Sequence, residues 1–289
     1  AHSYIHNPSN PQKHIPKNIA IPWTNVANQL KRKPIISHSI VVLNNWKRLD
    51  VNKPIQLNNL ATLCQFHGGQ DESWFYLVTV EIEKIGAKAI PKVLKAIEFC
   101  GKEEFSKAAE ILEEVNEILG VLLISLKKMY ERCDPYIFYL RVRPFLASFE
   151  EIEYEGTQLP LQNLHGGSAA QSSLLQFFDA AFGIDYPNKS TKDYLLLMRH
   201  HMPYKHAEFL GFMSKNSNLK SSSEKNKSLK LIYKECIQSL VAFRNEHLKI
   251  VAEYIIKQAN KMQSSTKGTG GTNPMIFLKS VRNRNVELG

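Results

Sequence analysis

His247 interrupts an otherwise apolar stripe. Leu229, Tyr233, Cys236, Leu240, Phe243, His247, Ile250 and Tyr254 recur at steps of four and three, so one helix from about Ser228 to Lys257 carries them on a single face. A buried imidazole needs a partner for its polar nitrogens, because leaving one unpaired costs about 1–3 kcal/mol. A metal or a hydrogen bond must supply that partner. Arg244 lies one turn earlier on the same side, where its charge suits an anion beside the ring. A haem meets both demands, since its iron takes a neutral imidazole nitrogen and its propionates take an arginine. On this helix alone, a hydrogen-bonded core histidine beside a snorkelling arginine is the plainer reading.

Three further segments bear on the choice. The spacing predicts a helix over about Glu72 to Glu98 whose inward stripe is Phe75, Thr79, Ile82, Gly86, Ala89 and Val93. Small residues lower that face, which suits either a flat ligand or close helix packing. Thr79 is the one polar residue on the stripe, and no strong acid or base is visible there. Asp134 to Ser148 contains Phe138-Tyr139 and then Arg143-Pro144-Phe145. Phe138 and Arg143 are five apart and diverge on a regular helix, but Pro144 disturbs the helix end and can turn the Arg143 fork inward, as a carboxylate clamp. A surface arginine at a helix end is the equal alternative. The run His165-Gly166-Gly167-Ser168-Ala169-Ala170-Gln171 puts a capping box at Ser168 and Gln171, so a helix should start there and run to Gly183, with Asp179 on it. A glycine-rich run at 268–272, containing Thr269, reads as a hinge that could close over a ligand or as a solvated linker.

These residues belong to a chain of 289 residues with 37 Lys+Arg against 27 Asp+Glu, a net charge of +10 that favours anionic partners without naming one. Apolar residues make up 43%, which excludes disorder of the whole chain. Cys64, Cys100, Cys133 and Cys236 form no CxxC pair, which argues against a thiolate zinc site. No GxSxG elbow, HExxH pair or dinucleotide glycine pattern is present. No apolar stretch is long enough to span a bilayer. Residues 1–35 are proline-rich and read as an extended arm or the remnant of an interdomain linker, ahead of a helical unit over 36–289. Ile40–Leu43 is the best strand candidate. The polar stretches 214–230 and 258–273 read as loops. The class is all-α.

Taken together these pieces resemble the indoleamine 2,3-dioxygenase family. The resemblance rests on IPKNIAIPW (15–23), VVLNNWK (41–47), WFYLVTVEIE (74–83), FYLRVRPFL (138–146), YEG (154–156), GGSAAQSS (166–173), FFDAAFGI (177–184), MRHHMP (198–203), FRNEHLKIV (243–251) and KGTGGT (267–272), in order along nearly the whole chain. It implies a multi-helix haem-binding domain, with the family's smaller N-terminal domain absent from this sequence. It also implies haem b as cofactor, with His247 as the iron ligand, and Arg244, Asp179, Gly167, Ser168 and Ala169 around the haem. Phe75 and Thr79 fall at distal-pocket positions. Phe138, Tyr139 and Arg143 match the substrate aromatics and the carboxylate-binding arginine, and Ser168 and Thr269 match loops that meet the substrate.

The implied activity is insertion of both atoms of O2 into the indole ring of L-tryptophan, giving N-formylkynurenine, by a cytoplasmic monomer with no nucleic-acid or membrane partner. Phe75, Thr79, Phe138 and Arg143 are the residues expected at the reaction. A myoglobin-like oxygen binder or haem sensor of the same fold is the alternative; the Arg143 clamp favours the enzyme. His38 departs from the tyrosine usual at its position, Phe149 replaces a tryptophan, and Tyr139 replaces a phenylalanine found in some members.

Overall fold

The computed structural model describes residues 1–7, 9–263, 269 and 273–286. Its longer helices are α1 (Lys17–Gln29), α2 (Gln70–Ala87), α3 (Ala89–Gly101), α4 (Phe105–Lys127), α5 (Ser173–Ala181), α6 (Lys189–Arg199), α7 (Tyr204–Asn216), α8 (Lys227–Val251) and α9 (Pro274–Val286). Ala108, Leu112, Val115, Leu119, Leu122 and Leu126 recur at steps of four and three along α4 and are all buried. That stripe gives α4 enough apolar surface to pack against α2, α3 and α8. The α8 stripe is buried from Leu229 to Phe243 as its spacing predicts, and Cys236 Sγ donates to the Leu112 carbonyl at 3.5 Å. The all-α class holds.

The single helix expected over 72–98 is two helices meeting at Lys88. Pro91 explains the break: its ring would collide with the carbonyl one turn back, so the first helix ends and Pro91 falls in the opening turn of the next. Ala89 and Val93 therefore belong to α3, which packs against α4, and both are fully buried. Gly86 serves close packing, because a Cβ there would sit 2.2 Å from Leu174 Cδ2.

The arm at 1–35 is not extended throughout. Helix α1 buries Ala20, Thr24 and Ala27 on one face despite Pro22, so packing outweighs the proline penalty. Ahead of it, β1 (His14–Ile15) pairs in parallel with a later strand at His14↔Glu153 and Ile15↔Tyr154. Ile40–Leu43 is not a strand but part of a π-helical turn, Ser39–Leu43. The strands that do form are β2 (Trp46–Arg48), β3 (Leu60–Thr62), β4 (Phe149–Tyr154) and β5 (Gln162–Leu164). An irregularity between Phe149 and Ile152, with Glu151 at φ 55°, breaks the alternation that would have marked β4 in the sequence.

The stretch 214–230 is largely helical rather than a loop. Helix α7 runs to Asn216, a turn spans Leu219–Ser223 with Leu219 fully buried, and α8 starts at Lys227. Of 258–273, the first residues belong to the helical turn Lys257–Lys261, while 264–268 and 270–272, with most of the glycine-rich run, lie outside the described residues. The capping box at Ser168 and Gln171 is present, but it opens a 3-10 turn, Ala169–Gln171, and Ser172 then caps α5 anew.

The segment between β5 and α5 passes very close to the chain at 146–147. A Cβ on Gly166 would lie 2.0 Å from the Leu146 carbonyl oxygen, whereas one on Gly167 would meet only ordinary contacts beginning at 3.5 Å. Gly166→Ala must displace backbone and should lower stability by about 3 kcal/mol, while Gly167→Ala should cost well under half of that. Urea midpoints of the two variants measure the difference; equal midpoints would refute the close approach.

Candidate functional site

One cavity collects most of the sequence-expected residues. Its lining includes Phe75 and Thr79 from α2, Phe138 and Arg143, the loop Gly167-Ser168-Ala169, His247 from α8, and Thr269. It encloses about 1440 Å³ of empty space, counting its open mouth. Tyr139, Asp179 and Arg244 are not in the lining. Tyr139 lies under the Arg143 guanidinium, 5.0 Å from ring centre to Cζ, and so braces the arginine from behind.

Three π-helical turns shape the walls: Ser39–Leu43, Phe138–Val142 and Ala252–Ile256. Each brings side chains to the cavity, among them Val41, Phe138 and Tyr254. In the second turn the Arg143 N–H donates to the Phe138 carbonyl, five residues back. Residues five apart then come into register, so Phe138 and Arg143 both reach the cavity although an α-helix would send them apart. Pro144, with no N–H to continue an α-helical ladder, follows directly. Phe138 packs on Phe75 with ring centres 4.7 Å apart and edge-on to Tyr254 at 5.8 Å. The Tyr254 hydroxyl donates to the Cys133 carbonyl at 2.6 Å, which fixes that aromatic wall.

His247 is enclosed by protein yet faces the void. Among the described residues no group hydrogen-bonds either ring nitrogen. Burial, and then the charge of Arg244, pushes its pKa down to about 4, so the imidazole is neutral near pH 7. Arg244 itself is buried and donates through Nη2 to Asp179 Oδ1 at 2.6 Å, while Tyr186 donates to Asp179 Oδ2 at 2.7 Å. Burial opposes the Arg244 charge, but Asp179 and Tyr186 hold its pKa above the ordinary arginine value. Arg244 Nη1 is buried and has no hydrogen-bond partner among the described residues.

The glycine loop is tied on both sides. Gln171 Oε1 accepts from the His38 N–H at 3.0 Å, and Gln171 Nε2 donates to the Gly166 carbonyl at 2.8 Å. Thr269 Oγ1 donates to the Gly167 carbonyl at 2.7 Å. Arg143 is half-buried in the wall; burial lowers its pKa and the neighbouring Tyr139 partly offsets that.

The expectation that no acid or base stands on the α2 wall is corrected. Glu83, one turn beyond Thr79, lines the cavity and accepts from His38 Nε2 at 2.8 Å and Ser172 Oγ at 2.6 Å. Burial pushes the Glu83 carboxyl up, but the His38 and Ser172 contacts outweigh it and hold the pKa below the usual value. The signal was its i+4 spacing from Thr79, which places it on the stripe's edge.

These features suit a haem. The imidazole is neutral, unpaired and open to the cavity. A buried guanidinium beside it has a donor to spare, as a propionate requires. The wall at 167–170 is made of glycine, serine and alanines. No group of three or more His, Cys, Asp or Glu among the described residues could cage a bare metal ion, so a metal on His247 must bring its other ligands with it.

A helical fold around a pocket with one such histidine defines a haem-protein class, and comparison with known proteins makes it specific. The family model of indoleamine 2,3-dioxygenase matches residues 1–288. The chain is 34% identical to mouse indoleamine 2,3-dioxygenase 1 over 94% of this chain and 72% of that protein. It is 32% identical to mouse indoleamine 2,3-dioxygenase 2 over 96% and 73%, and 32% identical to the Saccharomyces cerevisiae indoleamine 2,3-dioxygenase over 99% and 75%. The chain belongs to the indoleamine 2,3-dioxygenase family and is a haem dioxygenase.

The Arg244–Asp179 pair generates a stability prediction. Asp179→Ala leaves a guanidinium buried without its carboxylate and should cost about 3–5 kcal/mol. Chemical denaturation measures this, and an unchanged midpoint would contradict the buried pairing.

Proposed function

We propose that this chain is a haem b enzyme that converts L-tryptophan and O2 to N-formylkynurenine. The observation that carries the reading is Arg143 in the same cavity as the unpaired His247 imidazole: a carboxylate clamp beside a haem ligand. His247 holds the iron through a neutral nitrogen. Arg244 pairs with a propionate while Asp179 and Tyr186 keep its charge in place. Gly167, Ser168 and Ala169, small residues on the cavity wall, would leave room for the haem and substrate. When bound, the haem supplies the iron at which dioxygen becomes reactive.

The remaining work is positioning by the chain's own residues. Phe75 and Phe138 flank the indole, and Thr79 stands one turn along the same wall. The Thr79 hydroxyl donates to the Phe75 carbonyl at 3.0 Å, so its lone pairs face the site without a proton to give. Arg143 binds the substrate carboxylate, with Tyr139 behind it. Ser168 and Thr269 close the amino-acid end. Residues 36–289 supply every one of these groups, and we take them as the catalytic domain. The reading extends to a monomer in the cytoplasm, without a membrane or nucleic-acid partner; no helix among the described residues is long and apolar enough to cross a membrane. An oxygen carrier of this fold would have no use for Arg143.

The test is turnover of L-tryptophan by the reduced, haem-loaded chain, followed by N-formylkynurenine absorbance. Arg143→Ala removes a charge-assisted contact of about 1.5–3 kcal/mol and should lower kcat/KM roughly ten- to hundredfold, with haem retention intact. Equal loss of haem and turnover would refute the clamp, and no product from the wild type would refute the function.

A further inference from the structure

His38 and Glu83 have no part in holding the haem in the reading above, yet they form the most polar spot on the α2 side of the cavity. Both line it, and their side chains are only 5% and 14% exposed. His38 Nε2 and Glu83 Oε1 are 2.8 Å apart, and Ser172 Oγ donates to the same oxygen at 2.6 Å. The His38 backbone is pinned through its N–H to Gln171 Oε1 at 3.0 Å. The ring is thus fixed at both its backbone and its Nε2. Among the described residues no protein group pairs with its other nitrogen, Nδ1.

The chemistry of an imidazole decides what this arrangement offers. With Nε2–H given to a carboxylate, the neutral ring carries its lone pair on Nδ1 and is a hydrogen-bond acceptor. Val41, Val42, Phe75 and Ile82 on that wall are apolar; Thr79, whose proton goes to the Phe75 carbonyl, is a weaker neutral hydroxyl acceptor one turn before Glu83.

We propose that His38 is a specificity-determining residue, fixed by Glu83, whose Nδ1 accepts a hydrogen bond from a donor carried on the aromatic nucleus of the substrate. This rests on the tryptophan-dioxygenase reading and adds a substrate requirement: the indole N–H or a ring hydroxyl is selected by an acceptor on the wall. Glu83 is a positioning residue that sets which nitrogen keeps the proton.

The charged and titratable groups around the pair are Glu83 on α2, His206 on α7 beyond it with Arg32 near His206, and Arg143 and His247 elsewhere on the cavity wall.

The experiment is calorimetric titration of the haem-loaded full chain with three ligands. They are L-tryptophan, its benzothiophene analogue (sulfur in place of the ring N–H) and 5-hydroxy-L-tryptophan. The wild type should prefer the donor-bearing member of one pair by roughly tenfold in Kd. L-tryptophan over the benzothiophene analogue identifies the N–H as donor; the 5-hydroxy compound over L-tryptophan identifies the hydroxyl. His38→Phe should erase that ratio. Glu83→Gln keeps an acceptor for Nε2–H, so that variant should retain the wild-type ratio. The proposal is overturned if His38→Phe leaves both ratios unchanged. It is overturned equally if the wild type binds L-tryptophan no tighter than the benzothiophene analogue and the 5-hydroxy compound no tighter than L-tryptophan, a result that needs no variant to fold. If none of the three ligands binds the wild type, the tryptophan reading itself fails and takes the dyad with it; binding that is indifferent to His38 sinks the dyad alone.

Discussion

A neutral imidazole with no hydrogen-bond partner among the described residues, on the wall of a largely apolar cavity, is the constraint around which the fold is arranged. The buried Arg244 Nη1 beside it has no hydrogen-bond partner among the described residues, which is costly. That cost is offset when a ligand that accepts from the guanidinium is held by the imidazole. The regular core around α4 supplies the stability that lets α8 carry this uncompensated chemistry. Asp179 and Tyr186 keep the guanidinium charged and in place, and that charge in turn helps keep His247 deprotonated. A group that must bind metal through a lone pair is thereby kept ready to do so.

Local irregularity makes room for the ligand. Each of the three π-helical turns sits where a wall residue must be redirected. The clearest is the turn at 138–142, which aligns Phe138 with Arg143. The glycine loop works by the opposite means, bringing backbone against backbone at Gly166 so that small side chains alone face the cavity. Gln171 joins this loop to His38, so the wall that meets the substrate and the loop beside it are one hydrogen-bonded unit.

Much of this was legible from the residues. The α8 stripe, the capping box and the all-α class follow from strong local signals. Of the residues the family resemblance named, Phe75, Thr79, Phe138, Arg143, Gly167, Ser168, Ala169, His247 and Thr269 line one cavity, and Tyr139, Asp179 and Arg244 stand outside its lining. What escaped had a physical reason. Pro91 split a helix that periodicity alone ran together. A short proline-bearing helix at 17–29 forms because tertiary packing favours it. Phe138 and Arg143 looked divergent because a π turn has no distinct sequence period. Tyr139 proved to be a brace rather than a lining residue. Glu83 escaped because a glutamate on a helix normally faces water, and the partner that brings it inward, His38, lies on a different segment of the chain.

The most direct measurement of the central claim is resonance Raman spectroscopy of the ferrous haem-loaded protein. The account predicts an iron–imidazole stretching band that vanishes in His247→Gly and returns when free imidazole is added to that variant. A band that persists in His247→Gly without added imidazole would mean that another residue holds the iron, and would contradict the account.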